Sequence, residues 1–499
     1  MISRKIAFGS LVLAGILGVE ILLLGYGTII FQGEAGYLFE VYFLKMGLTP
    51  FVDFTVPQSP LYLGAYFPVG NLGDQGIWAA RLLSSFYLAV AIAFCYRIAV
   101  ITGGEKAGLC YLGLQILVPT SLSYLASLIG PYVISLLCMT IATWAIIEPR
   151  LSRKPAFIIF GFFSVFAAAS RIVFLVPMCL AAFAFVCLNR PKIKECAWAL
   201  LGMAGACIAI LPLIPLSDLG LVFHGVIGYH FQYKVAHPIE VNGELGRTSI
   251  TIATRLLHIF YTAILPILGF LLLAISSVFA KDGQKKMWII PFAAAFGIVI
   301  GHMPVNPFLH QYLSMAIPLL LAVSAAGLVY LLSNHKILLV VLILITQSYV
   351  VTEFKIARSQ FSLGTSQVAI TENIGKQLRE IYAGTPSILC DVNAFAWEAG
   401  LLVPIGNERG LSTHWLMNHQ KVAEIDPSLE TKMKWATRDE IENAIIASKY
   451  DGIVITSTHL WDDEIKDAIS RGGYKRVATL NGGRWGVIWC FKREKTINS

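Results

Sequence analysis

The chain has 499 residues, of which 56% are hydrophobic and only 14% charged, against roughly 25% charged in an ordinary soluble domain. Gly108 to Ile147 and Met287 to His335 contain no Asp, Glu, Lys or Arg, which excludes a wholly water-soluble protein of this size and fits spans of about 20 apolar residues in a bilayer. The net charge of +8 belongs to the first 350 residues, with 20 basic and 12 acidic, because 351–499 balances 18 against 18; this argues against a nucleic-acid-binding module.

Apolar runs predict eleven spans, at about 7–30, 79–101, 108–125, 128–147, 155–170, 172–189, 196–216, 254–280, 287–303, 312–333 and 337–352. With a cytoplasmic N-terminus, the inner connections carry 14 Lys and Arg and the outer ones 6, the bias expected of cytoplasmic loops. An odd count then places the C-terminus outside. The expected organisation is a membrane domain, 1–352, with long outer loops at 31–78 and 217–253, followed by an extracytoplasmic domain at 353–499. Glu20, within the first span, is an ionisable residue at membrane depth.

The first long loop has a helical stretch from Gly36 to Met46, then a segment punctuated by Pro50, Pro57, Pro60 and Pro68. It holds Glu34, Glu40 and Asp53 in mostly apolar and aromatic surroundings. Ordinary solvated loop acids are one reading. The other is a general base acting on an acceptor hydroxyl, since burial raises a carboxyl's pKa and makes it a better base. Arg81 opens the second span, and Arg171 interrupts the apolar stretch 155–189. Each reads either as an interfacial arginine or as a phosphate contact, which guanidinium geometry suits. The second long loop carries His224, Tyr229, His230, Tyr233, Lys234, His237 and Arg247. Between spans nine and ten lie His302, Asn306, His310, Gln311 and Tyr312, candidates for polar packing or for a phosphate or sugar.

After residue 352, helix signals at Ala369–Ile381, Glu440–Lys449 and Asp462–Arg471 interleave with strand signals at Ser387–Cys390, Gly452–Thr456, Arg476–Leu480 and Gly486–Phe491, the pattern of a small α/β domain. Cys390 and Cys490 fall in two of these strands, which leaves a disulfide open. The nine Cys form no CxxC or Cys/His metal spacing, and no phosphate loop, HExxH or GxSxG occurs. A divalent metal is therefore not supported, and nucleotide-driven pumping has no motif.

The first loop resembles that of the C-type (GT-C) membrane glycosyltransferases, the polyprenyl-phosphate-sugar-dependent group, and looks closest to the bacterial family 39 and lipopolysaccharide-core branch. The matching run is Glu34-Ala35-Gly36-Tyr37, Gly47-Leu48-Thr49-Pro50-Phe51-Val52-Asp53-Phe54 and Ser59-Pro60-Leu61-Tyr62, with Arg81-Leu82 at the second span and His310-Gln311-Tyr312 followed by Pro318 at a late one. The family has Asp where Glu34 stands, Glu where Ala35 stands, and a first Pro where Ser59 stands. The resemblance implies an inverting transferase on the outer face of a bacterial cytoplasmic (inner) membrane. Its donor would be an undecaprenyl-phosphate-like lipid-linked sugar and its acceptor a lipid, glycan or protein of the cell envelope, with membrane lipids as surroundings. It implies Glu34 as base, Asp53 as second carboxylate, and Arg81, Arg171, His302, His310 and Tyr312 as substrate contacts. A transporter or flippase of a lipid-linked sugar, which would show repeats and broken helices, and a non-catalytic membrane scaffold are the alternatives.

Overall fold

The structure, a computed structural model, describes residues 15, 18, 32–54, 56, 58–71, 76–118, 125, 129–228, 265–276, 287–302, 310–385, 388–401, 438–457 and 463–493. Most of the predicted first span, with Glu20, the histidine-rich part of the second long loop beyond residue 228, and Asn306 lie outside them. The chain divides into two compact units. Unit 1 comprises Met1–Gly25, Ser84–Leu211 and Pro238–Gln360, and unit 2 comprises Tyr26–Leu83, Pro212–His237 and Phe361–Ser499.

The apolar runs among the described residues of unit 1 are helices, the form that satisfies every backbone polar group within its own segment when no water is at hand. Helix α3 (Gly76–Leu117) begins in unit 2 and enters unit 1. It contains the predicted second span and residues 108–117 of the third, on either side of Gly104, where φ 80 and ψ −178 interrupt the helical path. The series continues with α4 (Pro131–Ile147), α5 (Arg153–Ser170), α6 (Leu175–Asn189), α7 (Ile193–Ile210), α8 (Leu265–Ser276), α9 (Ile289–His302), α10 (His310–Asn334) and α11 (Lys336–Ile381). Among the described residues five helical segments are long and apolar enough to cross a membrane, and α4 and α9 are shorter apolar helices. The protein is a polytopic α-helical membrane protein.

Small residues let these helices approach closely. Helices α5 and α7 meet at Gly161 and Gly202: a Cβ on Gly161 would lie 2.0 Å from the Ala199 carbonyl oxygen, and one on Gly202 2.1 Å from that of Ile158. Helices α8 and α10 are joined by the Ser324 hydroxyl, which donates to the Phe270 carbonyl at 2.8 Å.

Helix α11 runs 46 residues without a break, so the chain leaves the last predicted span and passes the expected boundary at 352 as one helix. The separately predicted helix at 369–381 is its final stretch. Beyond it, in unit 2, stand β1 (Ile388–Cys390), α12 (Asn393–Ala399), α13 (Arg438–Ile446), β2 (Gly452–Thr456), α14 (Asp463–Arg471), β3 (Tyr474–Asn481) and β4 (Val487–Arg493). The sheet order is β1-β2-β4-β3, with β1 parallel to β2 and the other neighbours antiparallel. Leu389, Ile453, Ile455, Ile441, Ile445, Ile465 and Ile469 form the core between one sheet face and helices α13 and α14. In register, Cys390 sits beside Val454 and Val454 beside Cys490. The two thiols are thus two strands apart, about 9.5 Å at the usual strand spacing, beyond the reach of a disulfide, and both are free.

Candidate functional site

The first long loop folds as a helix, a turn and a second helix. Helix α1 (Gln32–Lys45) carries Glu34 in its first turn and Lys45 in its last, charges that complement the helix dipole. Gly47, at φ 82, ends it. The Leu48 amide donates to the Phe43 carbonyl at 3.1 Å and that of Gly47 to Leu44 at 3.0 Å, the paired bonds of a glycine-terminated helix. Ala35, Tyr37, Leu38, Phe39, Glu40, Val41 and Phe43 are all buried, so α1 is packed on several sides by protein.

Asp53 closes the turn that follows. Its Oδ2 accepts from the Thr49 amide at 2.7 Å, while its own amide donates to the Thr49 carbonyl at 2.9 Å. This holds Phe51 at φ 66, a left-handed conformation that is uncommon for an aromatic residue. The second long loop reaches the same turn: a Cβ on Gly225 would meet the Val56 carbonyl at 2.9 Å and the Phe51 ring at 3.0 Å. Both long loops and the C-terminal domain therefore contribute to one compact unit.

The centre of the site is an ion pair between residues 47 apart. Arg81, in the second turn of α3, donates from Nη2 to Glu34 Oε2 at 2.8 Å and from Nε to Oε1 at 3.2 Å. Glu34 is 1% exposed and Arg81 2%. The two-pronged geometry matches guanidinium to carboxylate, and burial makes each charge dependent on the other. Two residues to which the sequence gives separate roles, base and phosphate contact, are thus brought together.

Glu40, on another face of α1, is also buried, and the Tyr62 hydroxyl of α2 (Leu61–Tyr66) donates to its Oε2. Desolvation pushes its carboxyl well above the usual range, in favour of the neutral acid. The carboxyl raised by burial is Glu40, six positions beyond Glu34.

Unit 1 holds a second cluster, at the C-terminal ends of α5 and α9 and the start of α4. Arg171 caps α5 with its amide donating to the Ala167 carbonyl at 3.1 Å, and its guanidinium lies 4.4 Å from the centre of the Tyr132 ring. His302, 1% exposed, donates from Nδ1 to the Ile298 carbonyl at 2.7 Å. It stands edge-on to Phe174 at 6.2 Å within electrostatic reach of Arg171. This links Arg171 and His302, two of the predicted substrate contacts. His310 opens α10, with Tyr312 two residues on. Among the described residues no group of three or more His, Cys, Asp or Glu could hold a metal ion.

The residues that sequence reasoning missed are on α12. Trp397 is fully buried, its ring edge-on to Phe39 at 5.1 Å and to Tyr42 at 6.4 Å. Asn393, 1% exposed, has its Nδ2 4.0 Å from where a Gly36 Cβ would sit. The only local signal is a short run ended by Gly400, at φ 70, too short for a helical period to show.

With helices, α/β domain and loop site in place, the fold can be set beside those of solved membrane proteins, and it is similar to that of ArnT. Two solved structures define the likeness: ArnT from Cupriavidus metallidurans bound to undecaprenyl phosphate, at TM-score 0.64 and 13% identity, and the same protein in its apo state, at TM-score 0.64 and 11% identity; each comparison covers 97% of this chain and 98% of the other. An oligosaccharyltransferase from Archaeoglobus fulgidus, in complex with zinc and sulfate, is more distant, at TM-score 0.48 and 12% identity over 90% of this chain and 68% of that one. No family model and no curated protein sequence matches the chain. At these identities the likeness is one of fold.

Proposed function

We propose that the protein is an inverting glycosyltransferase, moving a hexosyl or pentosyl group from a polyprenyl-phosphate donor to a lipid, glycan or protein acceptor at the outer face of a bacterial cytoplasmic membrane. The observation that carries this is the buried Glu34–Arg81 pair in a chain of this fold. Undecaprenyl phosphate, the lipid bound by ArnT in its structure, is the first donor carrier to test.

The acceptor oxygen attacks the anomeric carbon, the bond from that carbon to the phosphate oxygen breaks, and the polyprenyl phosphate departs with the bonding pair. Glu34 accepts the acceptor's proton. As it does so its charge beside Arg81 is neutralised, at the moment when the leaving phosphate gains one, so the guanidinium favours departure. Asp53 keeps the loop in shape through Thr49. In unit 1, Arg171 with Tyr132 and His302 is a separate candidate for the phosphate of a lipid-linked sugar, and His310 and Tyr312 for its lining.

The test is incubation of membranes containing the wild-type or Glu34→Gln chain with a panel of labelled undecaprenyl-phosphate sugars. Transfer by the wild type, reduced by about 10²-fold or more in the variant, supports the reading. Full activity in the folded variant sinks the role of Glu34.

A further inference from the structure

Helix α12 belongs to the C-terminal domain, yet its side chains meet the two segments that carry the ion pair. On one side the Trp397 ring packs against Phe39 and Tyr42 of α1, the helix of Glu34. On the other it faces Gly76, the first residue of α3, five positions before Arg81. That contact leaves no space: a Cβ on Gly76 would lie 2.3 Å from Trp397 Nε1 and 3.0 Å from Cε2. Among the described residues the indole N–H has no hydrogen-bond partner, so shape is what the described contacts of this ring provide. Asn393, one helical turn earlier, has its Nδ2 4.0 Å from where a Gly36 Cβ would sit, two positions from Glu34.

We infer that Trp397 is a positioning residue, a wedge from the C-terminal domain that sets the separation of α1 and α3 and so holds Glu34 and Arg81 in their two-pronged register. The inference rests on the reading of Glu34 as the base. Its logic is geometric. The ion pair needs two helices from distant parts of the sequence at a fixed distance, and one rigid ring touches both. A displacement of about 1 Å at such a site costs on the order of 10²-fold in rate. The C-terminal domain is then part of the catalytic apparatus.

Hydrogen–deuterium exchange on the purified full chain in detergent tests this without a substrate. In Trp397→Ala, amides of 32–45 and 76–83 exchange about tenfold faster or more, and Trp397→Phe restores most of the protection. Gly76→Ala, which pushes on the same ring from the other side, loosens the same two segments. The control is Phe395→Leu, because Phe395 is equally buried on α12 and its ring faces Trp485 of its own domain at 6.4 Å. That variant leaves 32–45 and 76–83 at wild-type rates. On the donor that the membrane panel identifies, Trp397→Ala lowers kcat about tenfold to hundredfold with the donor KM within about twofold of wild type.

Unchanged exchange in 32–45 and 76–83 for both Trp397→Ala and Gly76→Ala overturns the inference, as does equal loosening by Phe395→Leu. If Glu34→Gln keeps full transfer while Trp397→Ala loosens α1 and α3, the wedge stands as architecture and its catalytic purpose falls with the role of Glu34. If Glu34→Gln stops transfer and the exchange is unmoved, the wedge alone fails.

Discussion

Two buried arginines, one in each unit, are handled differently. Arg81 is gripped by the Glu34 carboxylate through two short bonds, whereas the Arg171 guanidinium lies over the face of Tyr132. A carboxylate neutralises a buried cation and can also take a proton; a ring face supports the cation and can do neither. On the proposed function, acid–base work belongs to the loop site of unit 2, and the cluster of unit 1 is a candidate contact for an anion.

The contrast can be broken by substitution. Arg81→Ala leaves Glu34 buried without its partner and should cost about 3–5 kcal/mol, read as a large fall in the unfolding midpoint of the purified chain; a loss below about 1 kcal/mol would mean that the pair is not buried in the membrane protein. Tyr132→Leu removes the cation–π contact with Arg171 and should cost about 1–2 kcal/mol. If it proves the more damaging of the two, the assignment of strong and weak partners is reversed.

Glu40 sharpens the comparison within α1. Its folded-state carboxyl titrates above the unfolded value, so the folded chain holds more protons over the interval between the two. Stability is therefore greatest below the unfolded carboxyl value and falls as pH rises towards the folded one. Glu40→Gln, which mimics the neutral acid, should flatten this limb of the stability–pH curve and change the midpoint by less than about 1 kcal/mol at acid pH. An unchanged slope would show that another group titrates. The smallest effect is expected from reductant, which should leave the unfolding midpoint of the C-terminal domain unmoved because Cys390 and Cys490 are separated by β2.

Much of this was legible in the sequence. Short β-branched runs in the tail marked all four described strands, and Gly452–Thr456 is β2 to the residue. The apolar runs marked the described helices, and the motif order in the first loop pointed to a fold that is similar to that of ArnT. What was not legible depends on contacts between distant residues. Glu34 and Arg81 are 47 positions apart, and Glu40 and Tyr62 are 22 apart; no local period relates them. The single helix α11 across the expected boundary was hidden because hydropathy changes near 352 while helical geometry does not. Trp397 was hidden because its role lies in what it touches on α1 and α3.

The most direct test removes both charges of the central pair at once. The double variant Glu34→Gln, Arg81→Gln removes both charges of the pair, so it should fold with an unfolding midpoint near that of the wild type. Assayed with the labelled undecaprenyl-phosphate sugar that the wild type consumes, it should release no polyprenyl phosphate above background. A folded double variant that transfers sugar at the wild-type rate would contradict the account.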